Sequence, residues 1–346
     1  MAPKYKRYIC CKMRKAPLNA RKIWKIFLQK SLPAIEILMI PFTWVYAYWF
    51  KTIRKQTISG KFRLTRGILQ KVGVYPIMDH YYDPTFNYNK QIKNWETPRN
   101  ITGFDLNLEA QLQLIQSFQF GEELLEIPVN RVYTNDYFYS NSSFEAGDAE
   151  FLYSLIRSKK PKIIIEIGSG NSTLIAQKAI QKNIAQNPED ITRQICIEPY
   201  PNYWLPEVKS IELIKERVEC IPKETFLQLN ENDILFIDSS HMVRPEGDVL
   251  FELMEILPLL KKGVFIHIHD IFTPYFFPKD WINKGDYFWN EQFILESILC
   301  NSDKYAVVGA LYYLRMNKME HISKAFPMLA KIKNNPGSFW IQKIKD

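Results

Sequence analysis

Cysteine is scarce here. The five residues, Cys10, Cys11, Cys196, Cys220 and Cys300, show neither zinc-ligand nor disulfide spacing. A disulfide scaffold is therefore excluded, and Cys196, inside an apolar segment, points to a reducing, cytoplasmic compartment. No apolar leader with a small-residue cleavage site opens the chain. Two nucleotide-binding signatures are missing as well. No G-x-x-x-x-G-K-S/T run follows Gly168, and the Gly168-x-Gly170 turn carries Thr173 where a dinucleotide fingerprint wants a third small residue. Acids are nearly absent from the first stretch: residues 1–77 hold 17 Lys+Arg against Glu36 alone, a charge of +16. Against +8 for the whole chain, this leaves the remainder at −8. Such a basic arm suits an anionic surface, and without a recognition motif no nucleic-acid partner is expected.

What is present centres on Ile163-Ile164-Ile165-Glu166-Ile167-Gly168-Ser169-Gly170-Asn171-Ser172-Thr173. An apolar run closing in an acid, then two glycines, then a helix-compatible segment reads as a buried parallel strand turning into a helix. Gly168 and Gly170 let the backbone turn tightly and let a ligand approach, while Asn171 or Ser172 can cap the helix and leave N–H groups for a carboxylate. Glu166 would repel a pyrophosphate and suits an ammonium group. A cofactor with an amino-acid moiety, a ribose and an adenine fits best, which is S-adenosylmethionine.

With 346 residues and 47% hydrophobic content, one catalytic domain plus appendages is expected. Residues 1–75 form a basic arm, 76–145 an irregular and helical cap or acceptor-binding region, 146–320 the cofactor-binding domain and 321–346 a C-terminal tail. In the arm, Ile37–Phe50 is uncharged but shorter than the ~20 residues of a spanning helix, and Glu36, Pro33 and Pro41 stand against a span. Trp44, Tyr46, Tyr48 and Trp49, followed by Lys51, Arg54 and Lys55, suit a headgroup region. The first expectation is a lid or dimerisation segment packed on the core; the second is peripheral contact with an anionic membrane, at its inner face. Residues 105–125 read as an amphipathic helix with Asn107 near its start.

From Asp148 the pattern is regular. A helix to Ser158 precedes the first strand; further strands are expected at Gln194–Glu198, Ile211–Ile214, Asp233–Asp238, Gly263–Ile268 and Tyr305–Leu311. This alternation implies an α/β, Rossmann-like, doubly wound and mainly parallel sheet with helices on both faces, behind a helical N-terminal extension. Ligands then bind at the carboxyl ends of the strands, where Glu166, Glu198, Asp238 and Asp270 fall. Glu198 is placed for ribose hydroxyls, and Glu219, after the third strand, for the adenine side.

Two clusters look chemical: Asp238-Ser239-Ser240-His241 and His267-Ile268-His269-Asp270. His267 and His269 share one strand face. Asp238, His241, His269 and Asp270 can converge above adjacent strands, where carboxylates suit Mg²⁺ and a histidine suits a general base. The aromatic run Thr273–Trp281 follows where an acceptor enters, and Asn290 is placed to cap a helix beginning near Glu291.

Residues from about Tyr133 to Leu314 resemble a class I S-adenosylmethionine-dependent methyltransferase, on Ile165–Thr173, Cys196-Ile197-Glu198-Pro199-Tyr200 and Leu235–His241. Within that class the chain is similar to a bacterial branch associated with surface-polysaccharide and natural-product gene sets. The Asp238-x-x-His241 plus Asp270 arrangement is also similar to metal-dependent O-methyltransferases acting on macrolide sugars. The resemblance implies cofactor contacts from Glu166, Gly168, Ser169, Gly170, Asn171, Ser172, Glu198, Glu219 and Asp238. It implies Mg²⁺ held by Asp238 and Asp270, to which His269 is added, and His241 with Asp238 as the catalytic pair. The expected reaction is methyl transfer to a hydroxyl of a small-molecule or glycan acceptor, with a homo-oligomer as a possible assembly. The alternatives are a hydroxylase-like relative and a non-catalytic, membrane-associated scaffold on the same fold.

Overall fold

The computed structural model describes residues 18–57, 60–80, 82–85, 94–281 and 287–346. The basic residues before Leu18, with Cys10 and Cys11, lie outside the described residues. The chain forms two compact units, residues 1–91 and 92–346. The division differs from the expected one: residues 92–145 belong with the sheet domain rather than forming a separate cap.

In the first unit, helix α1 (Leu18–Thr57) carries Pro33 and Pro41 inside it, and α2 (Arg63–Val72) ends at Gly73 in the left-handed conformation. Within this unit the apolar side chains of α1 from Ile37 to Trp49 are exposed. Ile37 and Leu38 are each 69% exposed and Val45 68%.

The second unit is built on a seven-stranded sheet of order β3-β2-β1-β4-β5-β7-β6. The strands are β1 (Ile163–Ile167), β2 (Arg193–Ile197), β3 (Glu212–Ile214), β4 (Ile234–Ile237), β5 (Phe265–Ile268), β6 (Tyr305–Ala310) and β7 (Phe339–Lys343). The first five pair in parallel, while β7 runs antiparallel between β5 and β6. Residues 321–346 are thus no tail. Phe339, Trp340 and Ile341 are fully buried in an interior strand, between β5 and the edge strand β6.

Alternation along the strands divides the core in two. Ile164, Ile234, Phe236 and Phe265 join one cluster, with Ala149, Phe151 and Leu155 of α5 (Asp148–Lys159) and Leu174 and Ile175 of α6 (Asn171–Gln186). Ile165, Ile167, Leu235, Ile237, Ile266 and Ile268 join the other, with Val249 of α7 (Asp248–Leu250, continued by irregular helical turns to Leu259) and Leu295 of α8 (Glu291–Cys300). Helices therefore cover both faces, as a parallel sheet buried on both sides requires. The amphipathic stretch at 105–125 is two helices, α3 (Leu108–Gln116) and α4 (Gly121–Leu125), whose Leu112, Ile115 and Leu124 enter the first cluster. Asn107 lies at the start of α3, yet its amide donates to the Val307 carbonyl (3.2 Å) instead of capping.

Candidate functional site

Strand order reverses between β1 and β4, and in open α/β sheets ligands bind outside the strand ends at such a reversal. Gly168 ends β1 with φ +79°, and a Cβ there would stand 1.8 Å from the carbonyl oxygen of Asp238. Only glycine brings the two strand ends this close. At Gly170, the N-cap of α6, a Cβ would meet nothing within 4 Å. Open space beside an extended glycine is room for a ligand.

Glu166, expected to hold the cofactor's ammonium group, faces inward instead. Glu166 shares a face with Ile164 and points into the core under α6. It accepts hydrogen bonds from Ser172 Oγ (2.5 Å), Thr173 Oγ1 (2.8 Å) and Gln194 Nε2 (2.9 Å). Burial raises its pKa to about 7 against the pull of those donors. Glu166 and Ser172 thus brace the turn from beneath and face no cofactor cavity. Asn171 donates to Ser143 Oγ (2.7 Å), and the Gly170 N–H donates to Thr173 Oγ1 (3.0 Å). The helix start is closed by Thr173, neither by Asn171 nor by Ser172. Ser169 contributes its N–H to Glu198 Oε2 (3.3 Å).

A cavity of about 580 Å³ opens above this turn, lined by Gly168, Glu198, Arg217, Glu219, Asp238 and Ser240 among others. Glu198, fixed also by the Tyr200 N–H (2.7 Å), stands at the end of β2 where ribose hydroxyls would need an acceptor. Glu219 is ion-paired with Arg217.

The segment after β4 is pinned by three acids, two of which the sequence did not single out. Ser239 Oγ donates to Glu252 Oε2 (2.9 Å), Ser240 Oγ to Asp248 Oδ1 (2.7 Å), and His241 Nδ1 lies 2.9 Å from Glu291 Oε2. His241 is left-handed (φ +58°), and its carbonyl accepts the Asn290 N–H (3.1 Å). Asn290 spends its side chain on the Val243 N–H (2.7 Å), so it holds this loop and does not cap α8. These contacts aim His241 Nε2 at Asp238 Oδ1 (3.4 Å) and Asp270 Oδ2 (3.6 Å). Asp270, also left-handed (φ +56°), fits because residue 337 is glycine; a Cβ there would lie 2.8 Å from Asp270 Oδ1.

His269 meets acids at both ring nitrogens. Nδ1 is 3.3 Å from Asp270 Oδ1 and 3.7 Å from Asp238 Oδ1, and Nε2 is 3.7 Å from Asp148 Oδ2. Asp148 went unnoticed in the sequence. It sits in the first turn of α5 and accepts the Ser338 N–H (2.8 Å) ahead of β7. His267 shares this face, as expected, but stacks on Phe236 with ring centres 3.9 Å apart and bonds Ser338 Oγ (2.8 Å), a core role.

Electrostatics set the protonation. Burial works against a charge on His241, but Asp238 and Glu291 overcome it and raise its pKa to about 10. Burial likewise opposes charging His269, and Asp270 with Asp238 carry it well above the ordinary range. Burial would raise Asp238; His269 and His241 hold it down at about 2. His241 is therefore an imidazolium between two aspartates, not a free base, until something offsets that negative charge.

Among the described residues, Asp238, His241 and Asp270 form the group able to hold a metal, with ligand atoms within 4.8 Å of one another. His269, expected as a ligand, falls outside this group, although its Nδ1 stands 3.3 Å from Asp270 Oδ1 and 3.7 Å from Asp238 Oδ1. The two carboxylates fit a hard cation such as Mg²⁺, and the imidazole suits it less.

A second cavity, of about 610 Å³, lies beyond this cluster, lined by His269 and Asp270 with Trp95, Phe276, Trp281 and Tyr312. Asp238 belongs to the first cavity and His269 to the second, 3.7 Å apart.

Residues 165–271 match a family model described as a methyltransferase domain. A protein of Archaeoglobus fulgidus described only as uncharacterised is 30% identical over 168 residues, 45% of this chain and 74% of that protein. Solved structures similar to the chain include the O-methyltransferase TomG from Streptomyces achromogenes, involved in tomaymycin synthesis and in complex with SAM. It is 12% identical, covers 67% of this chain and 90% of its own, and has a TM-score of 0.35. An O-methyltransferase from Bacillus cereus in complex with SAH is 11% identical over 68% and 90%, with a TM-score of 0.32. At such scores neither likeness carries an argument about this chain. The family match runs from β1 through β5 and takes in the glycine turn, Glu198, Asp238, His241 and Asp270. Residues 165–271 of the chain therefore form a domain of the methyltransferase-domain family.

Proposed function

We propose that the protein transfers the methyl group of S-adenosylmethionine to a hydroxyl oxygen of a saccharide or glycosylated acceptor. One observation carries this reading: two cavities of similar size adjoin across the Asp238–His241–Asp270–His269 cluster. The cofactor would fill the first, its ribose on Glu198 and its adenine towards Glu219, with the sulfonium end towards Asp238. The acceptor would fill the second, where Trp95, Phe276, Trp281 and Tyr312 offer ring faces and Glu96 and Asp280 are polar. Aromatic faces with carboxylates nearby suit a neutral, hydroxyl-rich ring.

Methyl transfer is an in-line displacement, so the protein chiefly aligns oxygen, carbon and sulfur. It must also receive the hydroxyl proton. His241 is positioned for this by Glu291 and by the loop bonds from Asn290, but it must first lose its own proton. Asp238 and Asp270 would hold Mg²⁺, which supplies positive charge to offset them and to polarise the acceptor oxygen. With Asp238 so engaged, His241 would lose one of the two charges that keep it protonated, Glu291 remaining, and its Nε2 would give up its proton at lower pH to act as the base.

His241→Ala tests the reading. The variant should bind S-adenosylmethionine as the native protein does and lose about 10²–10⁴-fold in turnover on a sugar acceptor. Undiminished turnover would remove His241 from the chemistry, and undiminished binding of a partner with no turnover by the native protein would favour a scaffold.

A further inference from the structure

We propose that the first unit embeds the protein in a lipid bilayer, with α1 inserted in the hydrocarbon layer and α2 lying in the interface. Between Lys30 and Lys51 stand 20 residues with one charge, Glu36. At about 1.5 Å per residue their helix is about 30 Å long, the thickness of a bilayer's hydrocarbon core.

The exposed apolar side chains of α1 form no stripe. Ile37, Leu38, Met39 and Ile40 are consecutive, so they spread around the whole circumference, and all four are exposed. A helix apolar on every side is stable only when covered on every side. A second copy of the helix, paired as a coiled coil, would cover a single seam and leave the rest in water. Lipid covers all of it.

Two hydroxyls of α1, Thr43 inside the apolar stretch and Thr52 just past Lys51, need no partner outside the helix. Thr43 Oγ1 donates to the Met39 carbonyl (2.9 Å), and Thr52 Oγ1 to the Tyr48 carbonyl (2.9 Å). Each hydroxyl is satisfied within its own helix. Trp44, Tyr46, Tyr48 and Trp49 gather towards the end that meets Lys51, Arg54 and Lys55, the order of an interfacial aromatic belt backed by headgroup-binding cations.

The short helix α2 adds a separate observation. Leu64, Ile68 and Val72, at i, i+4 and i+8, are 87%, 63% and 71% exposed. Arg66 and Leu69 turn instead to a small cavity shared with Ile53 and Arg54 of α1. An exposed apolar stripe on a basic helix beside an apolar one is the pattern of an interfacial helix.

The test is flotation of the full-length protein with vesicles of phosphatidylcholine alone, washed in high salt and then in alkaline carbonate. Insertion predicts flotation with these neutral vesicles that survives both washes. Release by either wash, or flotation only when anionic lipid is added, would show peripheral attachment and overturn the proposal. Recovery as a discrete soluble dimer without vesicles would show that a second copy covers α1, and would overturn it equally. A Leu38→Lys, Val45→Lys double variant changes two exposed side chains and should lose about a hundredfold or more of its partitioning. Its S-adenosylmethionine affinity, measured in parallel, reports that the second unit is folded. Unchanged flotation of a folded double variant also contradicts insertion.

Discussion

Glu291 Oε2 stands 2.9 Å from His241 Nδ1, and both groups are buried at the seam between the two cavities. The carboxyl orients the ring and, with Asp238, keeps a proton on it. Activity measured in EDTA should therefore climb with pH towards about 10, as His241 deprotonates. Added Mg²⁺ should move this rise to lower pH. Glu291→Gln should move it down even without metal, by removing one of the charges that holds the proton. A rise near the ordinary histidine value in all three samples would contradict the assignment.

The same raised pKa has a consequence for stability. The interactions of protonated His241 are fully present below its unfolded value of about 6.5 and are lost as pH climbs through about 10. Thermal denaturation of the native protein and of His241→Gln should show a stability difference that shrinks across this window. A difference independent of pH would mean that the ring acts only by packing.

Glu166 makes the opposite case for a group that supports rather than binds. Its folded pKa of about 7 exceeds the ordinary 4.5, so its contribution is intact below about pH 4.5 and declines as pH rises to 7. The decline should run at about 1.4 kcal/mol per pH unit. Glu166→Gln should remove this slope and leave cofactor affinity within about a factor of three, while Glu166→Ala, stranding the Gln194 amide and two hydroxyls, should cost about 2–4 kcal/mol. A large loss of S-adenosylmethionine affinity in a stable Glu166→Gln variant would return this residue to the cofactor site.

These residues also mark the limit of what the sequence made legible. Strands β1 to β5 were readable because each is a short apolar run ending at a polar turn. Their common edge followed, and with it Glu198, Asp238, His241 and Asp270. The direction of Glu166 did not follow. It alternates with Ile165 and Ile167, yet an acid at a strand end reads as facing the ligand, and only the donors on α6 and β2 reveal the inward turn. Strand β7 escaped because Phe339-Trp340-Ile341 is a three-residue apolar run far from its partners in sequence. Asp148, Asp248 and Glu252 were invisible as site residues for another reason: their partners lie in other segments, Asp148 with Ser338, Glu252 with Ser239 and Asp248 with Ser240.

Gly168→Ala should fail in a way that distinguishes fold from site. A Cβ there overlaps the Asp238 carbonyl oxygen, and φ +79° is unfavourable for alanine. The loss should be about 3 kcal/mol or more, seen as a lower denaturation midpoint. A variant as stable as the native protein would show that β1 and β4 do not meet as described.

The central claim is that the first cavity, above Gly168 and beside Glu198, holds S-adenosylmethionine. Calorimetric titration of the cofactor into the native protein and into Glu198→Ala tests it most directly, because Glu198 lines that cavity at the end of β2, where ribose hydroxyls would need an acceptor. Saturable binding by the native protein, lost in a variant with an unchanged denaturation midpoint, is the predicted result. No binding by the folded native protein, or equal binding by both, would contradict the account.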